Sequence, residues 1–170
     1  MIPINPELGE VRRDGDSVTI VFRRRYARPI DKVWAALTVP ERLTDWFAQA
    51  SLDRLAVGGT FQLYFTGADY RSLARITALE PPRLIAWTWS DPDGSKPSQV
   101  RFDLEPDGDG CQLTLTHTGL SPEEAKGVDA GWHAHLEALP DAVDGVFTPW
   151  SKLLERVAVA EPLYEARPPA

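Results

Sequence analysis

"SPEEAKGVDAGWHAHLEALP", residues 121–140, is the stretch that decides the fold. Ser121 is a helix N-cap, and Glu124, three positions later, completes a capping box that starts a helix. Pro122 suits the first helical turn, where its missing N–H is no loss. Beyond this start, apolar residues recur at helical spacing and form one stripe: Trp132, Leu136, Leu139 and Val143. The pattern predicts a long helix whose apolar face must be buried against another element.

The segments before this helix alternate apolar and polar residues with a period of two, which is typical of strands with one buried face. The first is "SVTIVFRRRY" (17–26), and the others lie between about residue 50 and residue 119. Short loops rich in Pro, Gly and Asp join them, so consecutive strands are expected to pair antiparallel. After the first strand, "RPIDKVWAALTVPERLTDWF" (28–47) predicts two short amphipathic helices, the second starting at Pro40.

This order predicts an α+β fold in which a curved antiparallel sheet of about six or seven strands wraps around the long C-terminal helix. Because two short helices close one end, a cavity between sheet and helix is expected. We expect an N-terminal extension (1–16), the sheet-and-helix domain (17–145) and a C-terminal helical tail (146–170). The tail either covers the pocket or packs on a second subunit. Pro140 lacks a backbone donor and is expected to kink or restart the helix.

Composition excludes several classes of protein. The formal charge is −7, from 18 basic and 25 acidic residues, whereas a nucleic-acid or anionic-membrane binder needs a basic surface. Cys111 is the only cysteine, which fits a reducing compartment. Residues 1–10 carry no basic segment followed by an apolar one, and no apolar run reaches the roughly 18 residues of a membrane span. We therefore expect a cytoplasmic protein that neither binds nucleic acid nor inserts into a membrane.

Five strings in this order resemble the SRPBCC superfamily, which has the START-related, birch-pollen-allergen-like helix-grip fold. Within it, the sequence is most similar to homologues of the heat-shock-protein-ninety ATPase activator. The strings, spread over residues 17–145, are "RPIDKVWAALTVPERLTDWF", "VGGTFQLYF", "ITALEPPRLIAWTWS", "VRFDLEPDGDGCQLTLTHTGL" and "GWHAHLEAL". Members of this superfamily share a deep hydrophobic pocket and use it for lipid or polyketide binding, cyclisation or chaperone stimulation. The resemblance therefore implies a pocket without naming a reaction.

Aromatic residues outnumber what a small core needs and favour a pocket for a flat or apolar ligand. The aromatic candidates for ligand contact are Trp34, Phe47, Phe61, Phe65, Trp87, Trp89, Phe102 and Trp132. Four further candidates are Arg75, His117, His135 and Leu136. For any single aromatic residue the alternative is plain core packing.

Histidines 133 and 135 do not make a metal site by spacing. Two positions apart on a helix, they point about 200° away from each other and cannot chelate one ion. His135 flanks the apolar stripe, and His133 is expected to face solvent. Cys111 has no ligand-like spacing to either. We expect neither a metal nor a cofactor.

His117 is the candidate catalytic residue. It shares strand parity with Leu113 and Leu115, so its ring is expected to face inward, where an imidazole can act as a general acid or base. The alternative is a structural histidine bonded to a carbonyl or carboxylate. Arg75 faces inward and pairs with a ligand anion in one strand register, and faces water in the other.

Three functions remain open at this point. The first is binding of a small hydrophobic or aromatic ligand in the internal pocket, without visible catalysis. The second is a polyketide-cyclase-like enzyme acting in the same pocket through His117 or Arg75. The third, implied by the resemblance, is an interaction protein like the chaperone ATPase activator, with a chaperone partner. A homodimer is compatible with each of these functions.

The absence of a metal site is testable. The purified protein should contain no stoichiometric zinc, iron or copper by elemental analysis. Its melting temperature should be the same with and without a chelator, because a structural metal would contribute its binding free energy to folding. A chelator-induced drop of several degrees would contradict this prediction.

Overall fold

One antiparallel sheet carries the fold, and the computed structural model describes residues 2–167 of the chain. Within these residues the sheet has eight strands, in the spatial order β1-β2-β8-β7-β6-β5-β4-β3. Their bounds are β1 Glu10–Asp14, β2 Ser17–Tyr26, β3 Gln49–Leu52, β4 Thr60–Phe65, β5 Tyr70–Glu80, β6 Leu84–Trp89, β7 Ser98–Asp107 and β8 Gly110–Leu120. Consecutive strands are neighbours except that β2 pairs with β8, which places the chain's last strand in the middle of the sheet.

The strand count exceeds the predicted six or seven because the two edge strands are short and bury little of their surface. In β1, "EVRRD", four of the five side chains are exposed, and β3, "QASL", has four residues and no fully buried side chain. An edge strand needs a neighbour on one side only, and polar residues there discourage pairing with other chains. Val11, Ala50 and Leu52 do pack against the core, but four or five residues with so little buried surface give only a weak period-two signal.

The helices confirm most of the predicted boundaries. Their bounds are α1 Ile30–Thr38, α2 Pro40–Trp46, α3 Pro122–Ala125, α4 Val128–Val143 and α5 Trp150–Glu165. Ser121 Oγ accepts the Glu124 N–H at 3.1 Å, and Glu124 Oε2 accepts the Ser121 N–H at 2.8 Å, so the predicted capping box is present. The predicted continuous helix is wrong in one respect. Gly127, with φ 81°, ends the first helical turn and starts α4 in a new direction.

Of the two outcomes expected at Pro140, a kink or a restart, the restart does not occur, because α4 continues through it to Val143. A proline leaves the carbonyl four residues earlier, that of Leu136, without its helical donor. The Tyr26 hydroxyl donates to this carbonyl at 3.0 Å. A side chain from β2 thus replaces the missing hydrogen bond, and burial raises the pKa of Tyr26, which keeps that donor protonated.

The core lies between the concave face of the sheet and α4. The predicted stripe of α4 is buried: Trp132, Leu136 and Leu139 are at most 3% exposed, and Val143 packs beside them. The sheet contributes the alternate residues of each long strand, such as Val18, Ile20 and Phe22 of β2 and Leu113 and Leu115 of β8. Trp46 Nε1 of α2 donates to the Ala36 carbonyl of α1 at 2.8 Å, which joins the two short helices.

The C-terminal tail packs on α4 of its own chain. The buried side of α5 consists of Leu153, Arg156, Ala160 and Tyr164. The sequence predicted that the tail covers the pocket or packs on a second subunit, and the contact observed within the chain is with α4. Within the described residues, no helix is long and apolar enough to cross a membrane.

His133 does not face solvent, and that prediction is wrong. Its ring is 0% exposed and lies between α5 and the N-terminal segment. Nε2 donates to the Asn5 carbonyl at 3.0 Å, so Nδ1 accepts from the Tyr164 hydroxyl at 2.8 Å. The Gly9 N–H in turn donates to the Tyr164 oxygen at 2.8 Å. A helical wheel of α4 alone gives no sign of this second buried side, which forms only when both ends of the chain dock.

The Tyr164 hydroxyl is expected to be important for stability. Tyr164→Phe leaves the Gly9 N–H and His133 Nδ1 without a partner, which should lower the free energy of unfolding by about 1–3 kcal/mol. Urea denaturation measures it. The matched control is Tyr64→Phe, because the Tyr64 hydroxyl bonds to Asp69 on the exposed surface. This variant should change stability by less than about 0.5 kcal/mol. Equal losses in the two variants would contradict the prediction.

Candidate functional site

A cavity of about 400 Å³ lies where β5, β6, β7 and β8 meet α3 and the start of α4. It is lined by Tyr70, Trp89, Ser90, Asp91, Lys96, Ser98, His117, Leu120, Glu124 and Val128. The lining is mixed in chemistry. Aromatic and aliphatic side chains stand beside three neutral polar ones, Ser90, Ser98 and His117, whereas Asp91, Lys96 and Glu124 supply charges. The cavity therefore combines apolar walls with a small number of hydrogen-bonding groups, as small-molecule sites do.

Three buried polar side chains form a hydrogen-bonded chain at this cavity. The Trp132 indole Nε1–H of α4 donates to His117 Nδ1 of β8 at 3.0 Å. His117 Nε2 lies 2.7 Å from Ser98 Oγ of β7. The Ser98 hydroxyl donates onward to the Trp89 carbonyl of β6 at 3.3 Å. The chain thus joins the long helix to three adjacent strands.

The first bond of this chain fixes the tautomer of His117. An indole nitrogen can only donate, so Nδ1 must be the unprotonated acceptor and the ring proton sits on Nε2. His117 therefore donates to Ser98 Oγ and cannot take the Ser98 proton. A serine-histidine pair that activates a nucleophile needs the opposite arrangement, with Nε2 free to accept. The pair is positioned to hold structure or ligand, and not to generate an alkoxide.

Burial keeps His117 neutral. The side chain is 1% exposed, and this loss of solvent lowers its pKa to about 4, with a small opposing effect from the Glu124 carboxylate. Neutrality is required by the geometry as well, because a protonated Nδ1 could not accept from Trp132. The inward orientation predicted from strand parity is confirmed.

Behind the cavity, aromatic rings fill the space between sheet and helix. Phe47 stacks on Trp132 with ring centroids 5.2 Å apart, and contacts Phe65 edge-to-face at 5.1 Å. Trp89 and His135 pack on the same cluster. Offset-stacked and edge-to-face pairs of this kind stabilise a packed interior. The pocket is therefore confined to the end of the sheet near α3 and does not run along the whole of α4.

The opposite end of this cluster is closed by the tail. The Trp150 ring lies 6.2 Å from that of His135, and it covers Gly67 in the β4–β5 hairpin. A Cβ atom on Gly67 would overlap the indole, so only glycine permits this close approach. His135 Nδ1 donates to the Trp46 carbonyl at 2.9 Å, which ties α4 to α2. His135 is thus a structural member of the closed end.

The predicted ligand-contact residues fall into separate groups. Trp89 and His117 line the cavity. Phe47, Phe65, Trp132 and His135 belong to the aromatic cluster behind it. The fully buried core holds Phe61, Trp87, Phe102 and Leu136.

Two of the predicted residues lie elsewhere. Arg75 is exposed on the outer face of β5, so the water-facing register is the one adopted. Trp34 is partly buried on α1 and does not line the cavity.

Sequence patterns did not identify Ser98, Tyr70, Lys96 or Glu124 as cavity residues. Ser98 begins β7, and Glu124 was interpreted only as part of the capping box, which it also is. Hydrogen bonds from Ser121 lower the pKa of Glu124, so the carboxylate is charged at the cavity mouth. Lys96 has a positive φ of 49°, which is uncommon for a lysine. The sequence around Lys96 contains no motif that predicts this conformation.

A larger groove of about 700 Å³ lies on the outer face of β3, β4 and β5. Its walls carry exposed polar side chains such as Gln49, Gln62 and Arg71. The groove is separate from the Trp132–His117–Ser98 chain. The smaller cavity is the better candidate because it lies on the apolar side of the sheet and contains buried polar groups.

The two histidines of α4 have separate environments, His133 toward Asn5 and Tyr164 and His135 toward Trp46. Across residues 2–167, no group of three or more His, Cys, Asp or Glu side chains is placed to hold a metal ion. The expectation of a metal-free protein stays a prediction for the chelator experiment.

A sheet wrapped around a helix, with a cavity between them, defines a helix-grip protein of the SRPBCC superfamily. The chain belongs to the family described as "Activator of Hsp90 ATPase homolog 1-like protein", whose sequence model matches residues 27–144. The resemblance recognised in the sequence is thereby confirmed. A search of curated proteins found no match.

Three solved structures illustrate the similarity. The protein encoded by gene BPP1335 of Bordetella parapertussis is 33% identical, with a TM-score of 0.71 over 97% of this chain and 93% of that one. CalU16 from Micromonospora echinospora is 29% identical, with a TM-score of 0.68 over 93% and 96%. The Aha1 dimer from Colwellia psychrerythraea is 22% identical, with a TM-score of 0.63 over 74% and 95%, a likeness of fold alone.

The neutral state of His117 predicts a pH dependence of stability. Its folded pKa of about 4 lies below the usual 6.5, so the unfolded state binds more protons between these values and stability falls as the pH drops through this window. Relative to pH 7.5, His117 should cost about 2 kcal/mol of unfolding free energy at pH 5.

The measurement compares the wild type with His117→Gln by urea denaturation at several pH values. Carboxylates and the other histidines titrate in both proteins, so their contributions cancel in the difference. The advantage of the wild type over the variant should shrink as the pH falls from 7.5 to 5. A difference that is independent of pH would show that His117 is not held neutral.

Proposed function

We propose that the protein binds a small hydrophobic or aromatic ligand in the cavity between the sheet and the start of α4. The observation that carries this proposal is the cavity itself, walled by Trp89, Tyr70, Leu120 and Val128 around the buried Ser98. Its volume of about 400 Å³ falls in the roughly 300–1,000 Å³ range of small-molecule sites. Family membership supports a pocket and leaves its contents open.

A polyketide-cyclase-like reaction has less support. The enzyme hypothesis relied on His117 as an acid or base or on Arg75 as an anion contact. Both nitrogens of His117 are engaged, and its basic nitrogen is covered by the Trp132 indole. Arg75 points away from the cavity. Binding without catalysis is therefore the function that these side chains favour.

A chaperone partner is a second proposal, supported by the family description as an activator of the Hsp90 ATPase. Titration of purified Hsp90 with this protein, followed by measurement of the rate of ATP turnover, tests it directly.

The homodimer stays a prediction. One argument for it is weaker, because the buried side of α5 packs within its own chain and does not need a second subunit to cover it. A cytoplasmic location is proposed from the lone cysteine, Cys111, which is buried and unpaired.

Ligand binding is tested with an apolar, environment-sensitive dye. We expect about one site per chain with micromolar affinity, corresponding to roughly 8 kcal/mol of binding free energy. Val128→Phe adds volume at the cavity wall and should weaken dye binding at least about tenfold. The matched control is Val159→Phe on α5, which lies outside the cavity lining and should bind dye like the wild type.

Two results would contradict the proposal. One is a wild-type protein that binds neither the dye nor any co-purifying small molecule detected by native mass spectrometry. The other is dye binding that Val128→Phe and Val159→Phe affect equally, which would place the dye elsewhere on the surface.

A further inference from the structure

We infer that the ligand of this cavity is a neutral or cationic ring compound bearing a hydroxyl or amino group that donates a hydrogen bond to Ser98 Oγ. The inference rests on the proposed function and deepens it, because it names the chemistry that the cavity recognises. It follows from the hydrogen-bonding capacity left unused at the cavity floor, from the rings in the wall and from the charges at the mouth.

The floor of the cavity presents Ser98 Oγ as an acceptor with capacity to spare. A hydroxyl can donate once and accept twice. Ser98 accepts from His117 Nε2 at 2.7 Å and donates to the Trp89 carbonyl at 3.3 Å. One acceptor position therefore remains for a ligand. His117 itself has no free donor or acceptor for a ligand, since both of its ring nitrogens are bonded, one to Trp132 and one to Ser98.

This arrangement distinguishes a donating ligand from an accepting one. A ligand O–H or N–H can use the free lone pair of Ser98 while every existing hydrogen bond stays in place. A ligand that only accepts would have to draw the Ser98 proton away from the Trp89 carbonyl. It could not instead receive the Nε2 proton of His117 without breaking the 2.7 Å bond to Ser98. The Trp132 bond prevents the ring from changing tautomer, so the polarity of the floor is fixed.

The walls favour a planar ring. Trp89 and Tyr70 both line the cavity, and the Trp89 ring is held by neighbours at 5.5 Å (Phe65) and 5.7 Å (Trp132). Rings supported in this way keep their orientation when a ligand stacks on them. Leu120 and Val128 complete an apolar surround.

The charges at the mouth disfavour an anionic ligand. Asp91 and Glu124 contribute two carboxylates against one ammonium from Lys96. The chain as a whole carries a formal charge of −7. A carboxylate or phosphate entering the cavity would leave water without gaining a buried cationic partner among the lining residues.

The experiment compares three naphthalene compounds by competition with the bound dye. 2-Naphthol carries the donor, 2-methoxynaphthalene has the same ring and only accepts, and 2-naphthoate carries a negative charge. For the wild type we expect 2-naphthol to bind about tenfold tighter than either of the others. In Ser98→Ala the advantage over 2-methoxynaphthalene should fall to about one, measured as the ratio of the two competition constants so that any change in dye affinity cancels. Ser98→Thr keeps the hydroxyl and should restore the preference.

A matched control separates Ser98 from the other serine of the lining. Ser90 also lines the cavity and donates its hydroxyl to the Leu73 carbonyl, 3.0 Å away, which leaves its oxygen able to accept as well. If Ser98 is the acceptor of the ligand proton, Ser90→Ala keeps the 2-naphthol preference.

Three results overturn the inference. They are equal binding of 2-naphthol and 2-methoxynaphthalene by the wild type, a preference unchanged in Ser98→Ala, and a preference lost only in Ser90→Ala. The wild-type ratio alone decides the matter if Ser98→Ala does not fold. If the dye binds and one of these three results is obtained, the proposed function stands and only the inference about Ser98 fails. No binding of dye or naphthalenes removes the proposed function and the inference together.

Discussion

The hydrogen bond from the Trp132 indole to His117 Nδ1, 3.0 Å long, is the contact on which the arrangement of the site depends. It joins α4 to β8, the strand that lies between β2 and β7 in the sheet. Because an indole can only donate, the bond also determines where the imidazole proton lies. The position of that proton turns Ser98 into an acceptor. This one hydrogen bond thus attaches the helix to the sheet and also determines that Ser98, at the cavity floor, accepts a hydrogen bond from His117.

The two ends of the chain also hold the helix in place. The Tyr164 hydroxyl of α5 bridges His133 of α4 and the Gly9 backbone. The Asn5 N–H donates to Glu137 at 2.8 Å, one turn further along α4. Buried polar groups are costly unless every partner is present, so this network ties the two termini to the same helix. The N-terminal segment and α5 therefore belong to the same packed unit as the sheet and α4.

Aromatic packing explains why a fold associated with deep pockets has a short one here. The rings of Phe47, Phe65 and Trp132 occupy the space between sheet and helix, and Trp150 with Gly67 closes the far end. What remains open is the region near α3, where the sheet ends and the helix begins. Members of one superfamily can thus differ in function through the side chains that fill a shared interior.

Much of the fold could be predicted from periodicity because its central elements bury one face each. The capping box at Ser121, the α4 stripe and the alternation of β2 are local signals, and they led directly to the helix-grip order. The edge strands β1 and β3 were not predicted because they are only five and four residues long and mostly exposed, which leaves a weak alternation of apolar and polar residues. For the site, strand parity placed His117 inward, whereas only Trp89 of the eight aromatic candidates lines the cavity.

Only the tertiary structure decided which residues meet. The β7–β8 register pairs Val100 with His117, and this brings the start of β7, at Ser98, beside the imidazole. His133 became buried because α5 and the N-terminal segment dock on the side of α4 that its own sequence marks as polar. The sequence by itself determined the elements and their buried faces, since these follow from spacing along the chain. Contacts between elements depend on register and docking, which bring together residues that are far apart in sequence.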